Sequence, residues 1–356
     1  MSEGTLNLDD STDDSKEESV MQRLRNQLLG NQPCYTIKEL AQLANVSLER
    51  AKDFWRAMGF ANVAEDDLVF TRQDVDALIQ SKKLLDSGWI DDNTLISLLR
   101  ANSYTADRLA LWQVEAVVED CARRHDLDDV SARQEMLDTM HDLMPFLERQ
   151  TRYAMRRHLF SLLERTHGEY GQRNHKRTSP GRYPLRRSLG FVDMVAYTST
   201  SANLGANGLS KLIRNFEYTA RDVITSRGAR IVKNIGDAVF YIADDLKTAT
   251  EVVCALVETF EQNPTLLPVR ASLVEGFVVS RSGDVYGPPV NLASRLVDTA
   301  PKGSICVDAQ TAKSISEASW GSGYSLTALE PAQMHGLGAV DRYSLARKIL
   351  QKSSIQ

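Results

Sequence analysis

The pattern of apolar and polar positions changes period about half-way along the chain. Up to residue 165 the apolar residues recur at helical spacing. Thr36-Ile37-Lys38-Glu39 has the form of a capping box, in which the hydroxyl and the carboxylate each satisfy a free backbone N–H. Ser47 predicts a second helix with Leu48, Ala51, Trp55 and Met58 on one face and Gly59 as its stop. Thr71 opens a third helix, and periodic stretches follow over 93–100, 104–119 and 130–163. Residues 20–165 therefore predict one all-α domain.

Beyond residue 185 shorter runs rich in Val, Ile and Phe take over. They predict strands over 188–195, 229–235, 238–242, 269–279 and 305–307. Between them, Leu209, Leu212, Ile213, Phe216, Ala220 and Val223 keep a helical stripe that Gly228 closes. A second helix spans 246–261, and a third starts at Pro289 and runs to Thr299. The order β-α-β-β-α-β is the ferredoxin-like arrangement, so the fold class is α+β behind an all-α domain.

Composition adds limits. The 356 residues carry 42 Lys+Arg against 47 Asp+Glu, a net of −5, and 42% are apolar. That suffices for two cores and excludes a collagenous, low-complexity or wholly disordered chain. No apolar run approaches the roughly 18 residues that would span a bilayer. The acidic start is unlike a signal peptide. Cys34, Cys121, Cys254 and Cys306 show no metal-site or disulfide spacing, and a cytoplasmic location is expected.

The charge is uneven. Residues 1–19 hold seven acids against Lys16 alone, which predicts a disordered acidic tail. From Arg152 to Arg187 ten basic residues face two acids, and Gly168, Gly171, Pro180, Gly181 and Pro184 mark 166–185 as a basic linker. Residues 186–347 then form the second domain, and 348–356 a C-terminal tail.

Candidate chemistry concentrates in that second domain. Asp193 interrupts the apolar run Phe191-Val192-Asp193-Met194-Val195, where a charge needs a partner: an arginine, backbone N–H groups or a metal. Asp237 follows Ile235-Gly236 between two strands, in a turn that can bring its carboxylate beside the first strand. Two carboxylates held close repel, and a divalent ion relieves the repulsion. Asn291 and Arg295 are four apart on the helix begun by Pro289 and project from one face. They read either as a capping amide with a surface arginine or as donors aimed at phosphoryl charge.

The run Phe191-Val192-Asp193-Met194-Val195-Ala196-Tyr197-Thr198, the segment Lys233-Asn234-Ile235-Gly236-Asp237, and Asp284 followed by Gly287, Asn291 and Ala293-Ser294-Arg295 resemble the class III nucleotidyl cyclase catalytic domain. The resemblance covers 186 to about 347. It implies a homodimer with composite sites. In it Asp193, Asp237 and the backbone carbonyl of Met194 hold two Mg²⁺ or Mn²⁺ ions. Lys233 and Asp284 of the other chain read the purine, Asn291 orients the ribose, and Arg295 meets transition-state charge. Adenine matches the Lys233 donor and the Asp284 acceptor, whereas guanine mispairs with both, so the expected substrate is ATP, with guanylyl cyclase activity a lesser alternative. His335-Gly336 stands where many members carry Lys-Gly for the terminal phosphates, and backbone N–H groups around Thr198, Ser199 and Thr200 could share that task.

The N-terminal segments 35–60 and 69–75 resemble a helix-turn-helix of the MerR type, which opens the rival reading of a DNA-binding regulator with a degenerate cyclase domain. The presumed recognition helix has Arg50, Lys52 and Arg56 against Glu49 and Asp53, a thin balance for phosphate contacts, and DNA binding is disfavoured. The same segments resemble the helical, autoinhibitory regulatory domain of soluble, pH-responsive actinobacterial adenylyl cyclases. Of the six histidines, His158, His167 and His175 lie in or beside the linker, where protonation would add to its positive charge. The basic linker could also follow a membrane surface, and a helical bundle could hold an apolar ligand, although no motif points to a pocket.

Overall fold

The computed structural model describes residues 12–30, 32–172, 185–281 and 283–348. The chain divides into two compact units, Met1–Arg177 and Thr178–Gln356. Among the described residues no helix is long and apolar enough to cross a membrane.

The first unit is all helical: α1 (Thr12–Leu29), α2 (Ile37–Ala44), α3 (Leu48–Ala57), α4 (Arg72–Asp86), α5 (Asp92–His125) and α6 (Asp129–Gln172). The capping box at Thr36 forms, with Glu39 accepting from the Thr36 backbone N–H at 2.8 Å. Ile37, Leu40, Ala51, Phe54, Phe70, Val75 and Leu78 bury one core, in which Trp55 stacks on Phe60. Val20 and Leu24 of α1 bury a second core with Val118, Cys121, Ala132, Met136 and Met140.

Three expectations change here. Residues 1–19 are not tail throughout, because α1 reaches back from its buried anchors Val20 and Leu24 to Thr12. The stretches 93–100 and 104–119 are one helix, α5, since the small polar residues between them break the apolar stripe but not the backbone; Ser103 instead donates to the Met58 carbonyl. The stretch 166–185 is not linker throughout: α6 continues to Gln172 and a strand begins at Leu185, while 173–184, with His175, lie outside the described residues.

The second unit follows the order β1 (Leu185–Met194), α7 (Tyr197–Ser201), α8 (Ala206–Ser226), β2 (Arg230–Ile235), β3 (Ala238–Ala243), α9 (Leu246–Gln262), β4 (Val269–Arg281), β5 (Asp284–Tyr286), α10 (Pro288–Thr299), β6 (Ile305–Asp308), α11 (Ala309–Glu317), β7 (Tyr324–Met334) and β8 (Gly338–Arg347). The sheet order is β2-β3-β1-β4-β6-β8-β7, with β5 paired to β4. Its first four strands are the ferredoxin-like set. Alternation along β1 sends Val192 and Met194 to a core shared with α8, α9 and α11, and Leu189 and Phe191 to a core shared with α10. Asp193 has the parity of Phe191 and so faces the α10 side.

Gly190 has no freedom to be anything larger. A Cβ there would lie 1.8 Å from the Ser272 carbonyl oxygen, and the buried Tyr241 hydroxyl donates to the same oxygen at 3.2 Å. This close approach packs β1 against β4 directly upstream of Asp193.

Candidate active site

Asp193 sits next to last in β1, opposite Ala238 on β3 and Arg270 on β4. It is 8% exposed. The turn Gly236-Asp237 joins β2 to β3, with Gly236 at φ 59, and the Met194 N–H donates to the Asp237 carbonyl at 3.1 Å. That bond ties the turn to the end of β1 and brings Asp237 near enough for its charge to act on Asp193. Burial, chiefly, pushes the Asp193 carboxyl above its ordinary range; Arg270 draws it down, and the charges of Asp237 and Asp298 push it up again.

Of the alternatives for Asp193, the structure realises the arginine. Arg270 Nε donates to Asp193 Oδ2 at 2.8 Å, and its Nη2 lies 2.6 Å from the same oxygen. The charge of Asp237 still raises Asp193 against the pull of Arg270, so the second carboxylate acts on the pair.

Lys233 stands at an irregularity in the β2–β3 register, opposite Phe240. Its Nζ lies 2.5 Å from Asp284 Oδ2, and Asp284 Oδ1 accepts the Val285 N–H. Residues 51 apart in sequence are thus brought into one pair. Register puts Lys233 on the same sheet face as Phe240, hence on the face of Asp193. Asn291, exposed, and Arg295, half-buried, lie one turn apart on α10, which packs over that face.

Thr198 is exposed on the short α7, which leaves β1 through Ala196 at φ 64. The Thr200 N–H donates to the Ala196 carbonyl at 3.0 Å, so of the three backbone donors expected there this one is spent within the turn. His335 is exposed in the tight turn between β7 and β8. His158 and His167 are exposed on α6.

Residues 187–347 match the family model described as the adenylate and guanylate cyclase catalytic domain. Over 97% of its length the chain is 32% identical to an adenylate cyclase of Glutamicibacter nicotianae, of which it covers 86%. The chain belongs to the class III adenylyl cyclase family. An adenylate cyclase of Streptomyces coelicolor is 33% identical over 85% of this chain and 77% of its own. A pH-sensitive adenylate cyclase of Mycobacterium tuberculosis is 25% identical over 87% of this chain and 77% of its own. These relatives extend well beyond the catalytic domain, so the cyclase shares with them its helical first unit as well.

Divalent ions fit the donor set of the cyclase. Among the described residues no cluster of three or more His, Cys, Asp or Glu occurs. Asp193 and Asp237 are oxygen donors of the kind that hard divalent ions take, the rest of the sphere being left to water and substrate phosphates. The residue missed in the sequence is Arg270. Its signal was present, since Val269-Arg270-Ala271 places a cation inside an apolar strand just as Phe191–Val195 places an anion.

Proposed function

We propose that this adenylyl cyclase converts ATP to 3′,5′-cyclic AMP and pyrophosphate at composite sites of a homodimer. What carries the reading is that each chain builds both halves of such a composite site, the Asp193/Asp237 carboxylates at the end of β1 and the Lys233–Asp284 pair between β2 and β5. Two Mg²⁺ or Mn²⁺ ions held by Asp193, Asp237 and the Met194 carbonyl would supply Lewis acidity at the ribose 3′-oxygen and the phosphates. Lys233 donates to the adenine ring nitrogen and Asp284 accepts from the exocyclic amine, each giving up the other as partner. Asn291 holds the ribose so that the 3′-oxygen stands in line with the α-phosphorus. The 3′-hydroxyl gives its proton to solvent water, its oxygen forms the new bond to the α-phosphorus, and the bond from the α-phosphorus to the bridging oxygen breaks, so that pyrophosphate leaves with that electron pair. Arg295 bears on the charge that develops there. Thr198 contributes to phosphate contacts from α7.

A second copy is needed because Asn291 and Arg295 are expected to serve the partner's ions. A dimer also accounts for apolar side chains of α6 that stay exposed in one chain, among them Phe146, Tyr153, Leu159, Phe160, Leu162 and Leu163. The DNA-binding alternative loses support at the presumed recognition helix. Arg50 pairs with Asp92, Lys52 with Glu65 and Arg56 with Asp53, so its cations are already neutralised.

The helical unit is proposed to regulate the catalytic one, with acidification acting through His158, His167 and His175 in and beside the basic stretch. Cyclic nucleotide and pyrophosphate release, measured with ATP and GTP, with Mg²⁺ and Mn²⁺, across about pH 5–8, tests both parts. Release from ATP but not GTP is expected. A pH–activity profile unchanged by joint replacement of the three histidines refutes the pH role.

A further inference from the structure

Arg270 is held at both ends of its guanidinium. Nε and Nη2 both reach Asp193 Oδ2, at 2.8 and 2.6 Å, while Nη1 donates to the Asp298 carbonyl at 2.8 Å. That carbonyl is one of those left free at the C-terminal end of α10, where the helix dipole favours a cation. The neighbouring Thr299 carbonyl accepts from Arg342 at 2.6 Å, so two arginines fix this helix end against the sheet. Because Arg270 and Asp193 are directly opposed on β4 and β1, the guanidinium reaches the carboxylate from the side, without crossing the strand. Both of its contacts fall on Oδ2. Among the described residues Oδ1 accepts no hydrogen bond.

We propose that Arg270, anchored on the Asp298 carbonyl, is a positioning residue that orients the Asp193 carboxylate for divalent ions. The inference rests on the metal-dependent reading above and adds a residue to it. With Nη1 held on the Asp298 carbonyl, Nε and Nη2 converge on Oδ2 and fix where that oxygen sits, leaving Oδ1 to ions; a lysine, with one nitrogen, cannot hold both ends at once. It also links the half of the site that takes ions to α10, the helix that carries Asn291 and Arg295. The link runs through two hydrogen bonds and one ion-pair contact.

The proposal has a sign that a bystander charge lacks. Deleting a cation beside a carboxylate strengthens the attraction of that carboxylate for Mn²⁺ by Coulomb's law alone. If orientation matters more, the deletion weakens binding. The test measures Mn²⁺ affinity by the loss of the free-ion paramagnetic resonance signal, with 3′-deoxy-ATP present so that no turnover occurs. It is done at about pH 8, above the ordinary carboxylate range. Arg270→Ala and Arg270→Lys are compared with the unaltered full chain, and thermal melting verifies that each is folded. The expected result is a loss of Mn²⁺ affinity of about 10-fold or more in both variants, the scale seen when a group that orients a metal ligand is removed. Should Arg270→Ala fail to fold, Arg270→Lys decides alone, since it keeps the charge and loses the fork. Affinity equal to or above that of the unaltered chain overturns the proposal. An unaltered chain that takes up no Mn²⁺ with nucleotide overturns the metal reading itself, and is told apart because no substitution is involved.

Discussion

Reversing the pair Lys233/Asp284, as K233E/D284K, separates base recognition from stability. Lys233 is 45% exposed and Asp284 22% exposed in side-chain terms, with Nζ and Oδ2 at 2.5 Å. An ion pair this open to water contributes about 1 kcal/mol or less to folding. Since the reversed pair can still form, the melting temperature of the catalytic unit should move by no more than about 2–4 °C. The effect on the nucleotide is of another size. A purine seated between the two side chains displaces water from both, and a base whose donors and acceptors oppose them leaves buried polar groups unpaired. That costs up to roughly 10⁴ in kcat/KM, about 5.5 kcal/mol. In the reversed enzyme the carboxylate meets the ring nitrogen and the ammonium meets the exocyclic group, which suits guanine N1–H and O6. The expected outcome, in a pyrophosphate-release assay, is a fall of about 10³–10⁴ for ATP and an inverted ATP/GTP preference at nearly unchanged melting temperature. Equal losses for ATP and GTP in a folded protein would show that these residues do not read the base.

Other expectations follow from single residues. Arg295→Ala should lower kcat by about 10²–10³ with little change in KM, the scale of one aimed transition-state donor; steady-state kinetics with ATP decide this. Gly190→Ala should abolish stable folding of the catalytic unit, because the new Cβ would lie 1.8 Å from the Ser272 carbonyl oxygen and a clash inside a paired sheet exceeds about 4 kcal/mol; circular dichroism of the soluble fraction measures it. In chelator, stability should fall as pH rises from the ordinary carboxylate range through the raised value of Asp193. The native chain holds that proton to a higher pH than the unfolded one, so the contribution is complete at low pH and lost on ionisation. Urea midpoints over this window should lose part of their slope in Asp193→Asn.

What could be read from the sequence follows from what burial demands. Asp193 is visible because a carboxylate in an apolar strand has to be explained, and Asp237 because a two-residue turn has few places to put its side chain. Arg270 obeys the same logic, yet its partner emerges only from the β1–β4 register, which depends on residues far apart in the chain. The Asp298 carbonyl that anchors it is backbone and has no sequence signal at all. The β7–β8 hairpin escapes notice for the opposite reason. It lies at the sheet edge with mostly half-buried or exposed positions, so no apolar alternation marks it, although β6 needs β8 to satisfy its second side.

The same distinction explains why the helical unit is easier to draw than to interpret. Its caps at Thr36, Ser47 and Asp91 and its buried stripe are local, and each is written in a few consecutive residues. Its role depends instead on charges that are already satisfied. The basic residues of α3, which as a bare string could reach phosphate, are paired with acids from Asp53 to Asp92. Asp53 could be counted from the sequence, but Glu65 and Asp92 reach Lys52 and Arg50 only through the fold, and together these acids offset the charge that DNA would need. In the catalytic unit the reverse holds. Asp193 feels the charge of Asp237, and among the described residues Arg270 covers only one of its two oxygens. One unit therefore pairs the cations that could bind nucleic acid, while the other leaves an oxygen of Asp193 without a cation among the described residues, and that difference is why catalysis is the proposed function and DNA recognition is not.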